Sequence, residues 1–160
     1  DFVEKFFQIY HLNYTILRFG SLYGTRADSS NGVNNLIDHA IKKNFLYYKG
    51  SMKAARKYIH VKDAAVLCLK ALQNKYKNKY INITGRKKIK VKNLMKILSK
   101  LLNISYKRIK FSNKKNEGHY VFEPIQYKPR MGTNVPLKFY KDFNKSLEDL
   151  ITERKRYLRP

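Results

Sequence analysis

The sequence predicts an α/β fold, and three features carry that prediction. Short apolar runs end at or just before a glycine: Thr15–Phe19 before Gly20, Phe45–Tyr48 before Gly50 and Tyr80–Ile83 before Gly85. Around and between them, apolar residues recur at helical spacing over residues 33–41, 64–72 and 94–102. A hydrophobic content of 43% in 160 residues is enough for a packed core, in one domain or in a piece of a larger one. Buried strands that alternate with helices are the pattern of a sheet covered by helices.

In chain order, residues 1–11 place Phe2, Val3, Phe6, Phe7 and Tyr10 on one broad helical face. Thr15–Phe19 is a buried strand that runs into a turn at Gly20-Ser21, closed by Tyr23-Gly24. Arg26 to Asn31 is a polar loop, and Val33, Leu36, Ile37, Ala40 and Ile41 then mark a helix. Residues 45–48 and 56–61 read as strands. Asp63 precedes an apolar helix and is placed as its N-cap, where a carboxylate accepts from free backbone N–H groups. That helix is apolar almost all round, so burial on more than one side is expected. Residues 80–83 form a strand and 89–91 a short extended piece. Leu94, Ile97, Leu98, Leu101 and Leu102 then form a helical stripe, with Lys92, Lys96 and Lys100 on a solvated face. Residues 103–118 are polar, with Tyr106, Ile109 and Phe111 as strand anchors. Residues 119–128 are aromatic-rich, with Pro124 and Pro129 breaking the regularity. A last amphipathic helix carries Leu147, Leu150 and Ile151, and a frayed tail is expected from Arg154 on.

The net charge is +24, and it is uneven. Residues 51–115 hold 20 Lys and Arg against Asp63 alone. Such a block suits nucleic acid or another polyanion, so a non-enzymatic basic binding protein is the alternative reading. Lys far exceeds Arg, and Asn, Ile and Tyr are abundant, which favours lysine filling solvent positions and disfavours nucleic acid. One cysteine, Cys68, excludes an internal disulfide framework and points to a reducing, cytoplasmic setting. No apolar run reaches the length of a membrane span, so no membrane partner is expected.

No catalytic apparatus is visible. His11, His39, His60 and His119 are far apart and lack paired cysteines, which argues against a metal site. Neither Gly-x-Gly-x-x-Gly nor a Walker pattern occurs, and there is no Gly-x-Ser-x-Gly elbow. Arg56 is the polar residue of note, because it follows a small-residue loop and opens a strand, where its planar fork can face a phosphate. His60, within that strand, reads as structural.

Three segments in order resemble the NAD-dependent epimerase/dehydratase group of the extended short-chain dehydrogenase/reductase family, which acts on nucleotide sugars. Leu17-Arg-Phe-Gly-Ser-Leu-Tyr-Gly-Thr-Arg26 resembles that family's Leu-Arg-x-x-Asn-x-Tyr-Gly-Pro-Arg segment. Arg56-Lys-Tyr-Ile-His-Val-Lys-Asp-Ala-Ala65 resembles Arg-Asp-Tyr-Ile-His-Val-x-Asp-x-Ala, and is the most specific of the three. Tyr80-Ile-Asn-Ile-Thr-Gly85, with Ile89-Lys-Val91, resembles Tyr-Asn-x-Gly-x-Gly followed by x-Ser-Val. The resemblance covers residues 1–102.

It implies the C-terminal part of a Rossmann-type fold with its smaller substrate-binding lobe. Residues 1–32 would be the last core helix and strand of the dinucleotide-binding domain. Residues 33–160 would hold mixed core elements and the lobe. The Gly-rich loop and the catalytic Tyr-x-x-x-Lys pair of the family are absent from the chain, which opens without Met inside a helix. An N-terminal half is therefore expected to be missing, and the chain is expected to be inactive alone. The cofactor implied is NAD or NADP, with Phe19 and Gly20 beside the nicotinamide. The substrate implied is a nucleotide sugar, contacted by Ser21, Asn35 and Arg56, with Arg56 on the diphosphate. Ser21 stands where the family has Asn, Thr25 replaces a proline and Lys57 an acid. Tyr58 and His60 match core positions, and Asp63 the acidic helix cap. The implied macromolecular partners are the missing half or a homodimer mate. Without them, one edge of strand 15–19 and apolar surface on helices 1–11 and 62–74 would be exposed.

Overall fold

A computed structural model of the protein describes residues 2–28, 30–112, 132–135 and 137–158. The aromatic-rich segment 119–128, with Pro124 and His119, and Pro129 lie outside the described residues. The fold is mixed α/β, with mostly parallel strand pairs and, among the described residues, five α-helices.

Helix α1, Phe2–Tyr10, leads to strand β1, Thr15–Phe19. Beyond Gly20 the chain does not turn back. It continues as β2, Ser21–Tyr23, and changes sheet. The predicted turn at Gly20-Ser21 is therefore a switch point. Gly20 donates its N–H to the Ile83 carbonyl at 2.8 Å, and a Cβ there would stand 2.6 Å from the Lys57 carbonyl oxygen. Only glycine lets three strands approach so closely at this step.

Helix α2, Gly32–Lys43, is capped by Asn31, whose Oδ1 accepts from the N–H groups of Val33 and Asn34. Strands β3, Leu46–Tyr48, and β4, Ala55–His60, follow. Helix α3 spans Val61–Ala71, and its N-cap is His60, not Asp63. The His60 Nδ1 accepts from the Lys62 N–H at 3.2 Å. Asp63 instead accepts from the Lys141 N–H at 2.9 Å, so its carboxylate ties α3 to a segment far along the chain. Strands β5, Lys79–Ile83, and β6, Lys88–Lys90, come next. Val91 is already the first residue of α4, Val91–Leu101. Ile109–Phe111 form β7, Thr133–Asn134 form β8, and α5 spans Phe143–Tyr157.

In the first sheet, β1 pairs in parallel with β5, and β5 with β8. In the second, β2 runs parallel to β4 and β6 antiparallel to it. Strands β3 and β7 pair in parallel, which places Phe111 opposite Tyr48.

Two cores result. One packs Ile59, Leu67, Ile81 and Ile83 under α3. The other gathers α2, α4 and α5 through Leu36, Ile37, Leu94, Leu98, Leu147 and Leu150. The lysine face of α4 is solvated as its pattern predicts. Helix α3 is buried on one side only, because Val66, Leu69 and Leu72 are exposed. Helix α1 contributes no buried residue, although Tyr80 donates to the Glu4 carboxylate at 2.7 Å and links it to β5. These two apolar faces and the outer edge of β1 are the surfaces predicted to be uncovered. The expected frayed tail is instead helical to Tyr157, with Arg154 buried against Asp38. No helix among the described residues is long and apolar enough to cross a membrane.

Candidate functional site

A cavity of about 600 Å³ opens where β2, β4, the end of β3 and the start of α2 meet. Its wall includes Ser21 from β2, Arg56 and Tyr58 from β4, Tyr48 from β3, and Asn31 and Val33 from the entry to α2. Local chemistry sets each of these positions. Parallel pairing puts Ser21 opposite Tyr58. Asn31 both caps α2 and donates from Nδ2 to the Leu22 carbonyl at 3.0 Å, so the loop before the helix is tied back to β2. Asn34 is fully buried and donates to the Ala27 carbonyl at 2.8 Å, which fixes the same loop from inside.

The charges on the wall are Arg26, Arg56 and Asp28. Asp28 is already engaged. It accepts from the N–H and hydroxyl of Ser30, and those bonds hold its carboxyl below the usual range. Arg56 is not: its Nη2 is buried and has no hydrogen-bond partner. A buried guanidinium nitrogen without an acceptor is costly unless something anionic arrives. The N-terminus of α2 opens on the same space and adds partial positive charge. Tyr58, two residues along β4 from Arg56, has its phenol pushed up to about 12, first by burial. It remains neutral and offers an O–H. Among the described residues no cluster of His, Cys, Asp or Glu could hold a metal ion.

Of the residues the sequence singled out, Ser21 and Arg56 meet on this cavity. Asn35 does not reach it. Asn35 is exposed in the first turn of α2, while its neighbours Asn31 and Val33 line the wall. Phe19 and Gly20 lie at the carboxyl end of β1 and line neither cavity. Phe19 is 48% exposed. A second cleft of about 300 Å³ lies past the ends of β5 and β8, with Lys57, Arg86 and Lys138 on its rim. Sequence reasoning missed Asn31 and Tyr48. Asn31 had a signal, a capping residue just before an apolar helical stripe. Tyr48 had none beyond its place in a strand.

The profile of the NAD dependent epimerase/dehydratase family matches residues 1–84, more than half of the chain. The chain belongs to that family. A Methanocaldococcus jannaschii protein, provisionally named a UDP-glucose 4-epimerase, is 24% identical over 135 residues, which is 82% of this chain and 44% of that protein. The fold is that of solved epimerases and dehydratases. Thermotoga maritima UDP-glucose 4-epimerase with UDP-glucose aligns at a TM-score of 0.75 and 19% identity, over 99% of this chain and 51% of that one. A Methanobrevibacter ruminantium UDP-N-acetylglucosamine 4-epimerase aligns at 0.73 and 20% identity, over 98% and 51%. Bacillus anthracis dTDP-glucose 4,6-dehydratase in complex with NAD aligns at 0.74 and 16% identity, over 95% and 48%. The chain spans about half the length of the relatives it matches. The family is NAD dependent by its description, and the Bacillus anthracis structure holds NAD. The described residues include no glycine-rich cradle, and Phe19 and Gly20 line neither cavity, so they do not by themselves fit a dinucleotide.

Proposed function

We propose that this chain is the nucleotide-sugar-binding part of an NAD(P)-dependent epimerase, dehydratase or reductase, inactive on its own. Residues 1–32 then close a dinucleotide-binding domain, and residues 33–160 supply mixed core elements and the substrate lobe. The carrying observation is Arg56, which lines a cavity at a helix N-terminus and whose Nη2 is buried without a partner. A diphosphate answers both features, since it accepts from a guanidinium in a bidentate manner and is favoured at the positive end of a helix. Ser21, on the same wall, contacts the sugar. Asn35 contacts the diphosphate only through a shift of the first turn of α2. Phe19 and Gly20 stand beside NAD or NADP, in a cytoplasmic protein whose other half or homodimer mate covers α1 and β1.

In this reading the chain binds and orients and does not transfer protons or hydride. Binding energy taken from the remote diphosphate holds the sugar for chemistry performed elsewhere. Calorimetric titration with UDP-glucose tests the reading. The wild-type chain is expected to bind, and Arg56→Ala to lose at least about tenfold in affinity, the loss typical of a charged hydrogen bond. Unchanged affinity in Arg56→Ala would remove the diphosphate assignment. Turnover of a UDP- or GDP-sugar by the isolated chain with NAD would refute its inactivity.

A further inference from the structure

Strand β4 has two faces, and they border different clefts. Arg56 and Tyr58 line the cavity described above, while Lys57, between them, lines the second cleft of about 300 Å³. Alternation along a strand gives this division. The second cleft lies at the carboxyl ends of the parallel strands β5 and β8, marked by Asn82, Thr84 and Asn134 on its wall. Ligands of open α/β sheets sit outside the carboxyl ends of the strands.

Three cations meet on this cleft: Lys57 from β4, Arg86 from the β5–β6 connection and Lys138 from the segment before α5. Among the described residues no carboxylate lines it. Between residues 51 and 115 the one acid is Asp63, which is buried and accepts from the Lys141 N–H. Register brings a fourth cation near, because Lys57 stands opposite Lys88 of β6. Cross-strand neighbours share a face, and like charges directly opposite repel. Filling of solvent positions explains the lysines of α4, which spread along one helix face. It does not explain cations from three separate segments gathered around one concave surface.

Lys and Arg side chains are donors only, so the group that joins them is an oxyanion with several lone pairs and more than one negative charge. Neutral groups complete the wall. Asn82 donates to the Asn134 side chain at 3.3 Å, and Val135 and Leu137 supply apolar surface. A volume of about 300 Å³ is at the lower end for small-molecule sites, which suits a compact ligand. We propose that the cleft of Lys57, Arg86 and Lys138 binds the phosphate or diphosphate group of a small metabolite, at a site separate from the cavity on the other face of β4. The proposal stands independently of the reading of Arg56.

The test is calorimetric titration with inorganic pyrophosphate at fixed ionic strength, in the 160-residue chain and in its Arg56→Ala variant, where the first cavity has lost its buried-strand cation. Arg56→Ala is expected to bind pyrophosphate at one site. Adding Arg86→Ala and Lys138→Ala to it is expected to weaken binding at least about tenfold, the loss typical of hydrogen bonds between charged groups. Adding Lys92→Ala and Lys100→Ala instead, on the exposed face of α4, is expected to change affinity less than about twofold, because charges outside the cleft are screened by salt. Equal losses in the two sets would show attraction to net charge alone and overturn the proposal. Undiminished affinity without Arg86 and Lys138 would overturn it as well. Binding present in the wild type and absent in Arg56→Ala would put the anion in the first cavity, which overturns this proposal and leaves the Arg56 reading standing. Absence of binding in both proteins also overturns it, and the Arg56 reading is then decided by its own titration with UDP-glucose.

Discussion

Arg154 reaches from α5 to Asp38 in α2 and donates to both carboxylate oxygens, from Nε at 2.6 Å and from Nη2 at 2.5 Å. Both residues are buried. The pair joins the last helix to the helix whose first turn borders the cavity. Asp38 holds the guanidinium more firmly protonated than usual, mainly through those hydrogen bonds. Breaking such a pair from one side leaves an uncompensated charge between helices. Arg154→Ala is expected to cost about 3 kcal/mol by urea denaturation. Asp38→Leu combined with Arg154→Met is expected to recover most of that loss, since two apolar side chains of similar volume leave no charge behind. A double variant no better than the single one would show that the geometry of the pair, rather than its charge, holds α5.

His60 caps α3 through Nδ1, and its ring stands edge-on to Tyr23 at 5.3 Å. The cap requires that nitrogen to be unprotonated. Burial holds the imidazole below its ordinary 6.5, with Asp63 pulling the other way. As pH falls, the unfolded chain therefore takes up its proton first. The stability due to the neutral ring is complete above about 6.5 and is lost as pH falls through the folded value. Urea midpoints at pH 8 and pH 5 are expected to differ more in the wild type than in His60→Asn, which keeps a capping acceptor and cannot titrate. Equal pH slopes would place the titration elsewhere.

Gly85 follows β5, and a Cβ on it would stand 1.7 Å from the Tyr58 carbonyl oxygen. That atom is backbone, so relief needs movement of β4 itself, the strand that carries Arg56. Gly32, the first residue of α2, has open space instead. Gly85→Ala is expected to destabilise by at least about 2 kcal/mol, as overpacking against a fixed strand does. Gly32→Ala is expected to be neutral or to stabilise by about 0.5 kcal/mol, because it restricts the unfolded chain. Comparing the two denaturation midpoints checks both.

What could be read from the sequence was what local pattern decides. The apolar run of β1 and its glycine stop, the stripes of α2 and α4, and the position of Arg56 at the start of a strand are all local. Asp63 shows where local reasoning fails. An aspartate before an apolar run looks like a cap, but His60 three residues earlier does the capping, and the carboxylate is drawn to the backbone of Lys141. Arg154 fails in the same way. Its partner Asp38 is distant in sequence, so nothing local distinguishes it from the charged residues of a frayed end. Gly20 reads as a turn from its neighbours alone, and as a sheet switch only once β4 and β5 are seen to pass beside it. Tyr48 looks like one more strand aromatic until it is found lining a cavity, with its hydroxyl buried and without a partner.

Ser21 occupies the first position of β2, opposite Tyr58, on the wall that Arg56 shares. Its hydroxyl is shorter than the Asn amide of the motif it resembles, so a longer polar side chain there would reach further towards a sugar seated by the diphosphate. Ser21→Asn adds two donors and an acceptor at that distance. The substitution is expected to tighten UDP-glucose binding by about three- to tenfold, the range for one additional neutral hydrogen bond. UDP itself, which lacks the sugar, is expected to bind with unchanged affinity. Titrating both ligands into both proteins separates the cases. A gain shared equally by UDP would put the new amide on the nucleotide. No gain for either would remove Ser21 from the sugar subsite.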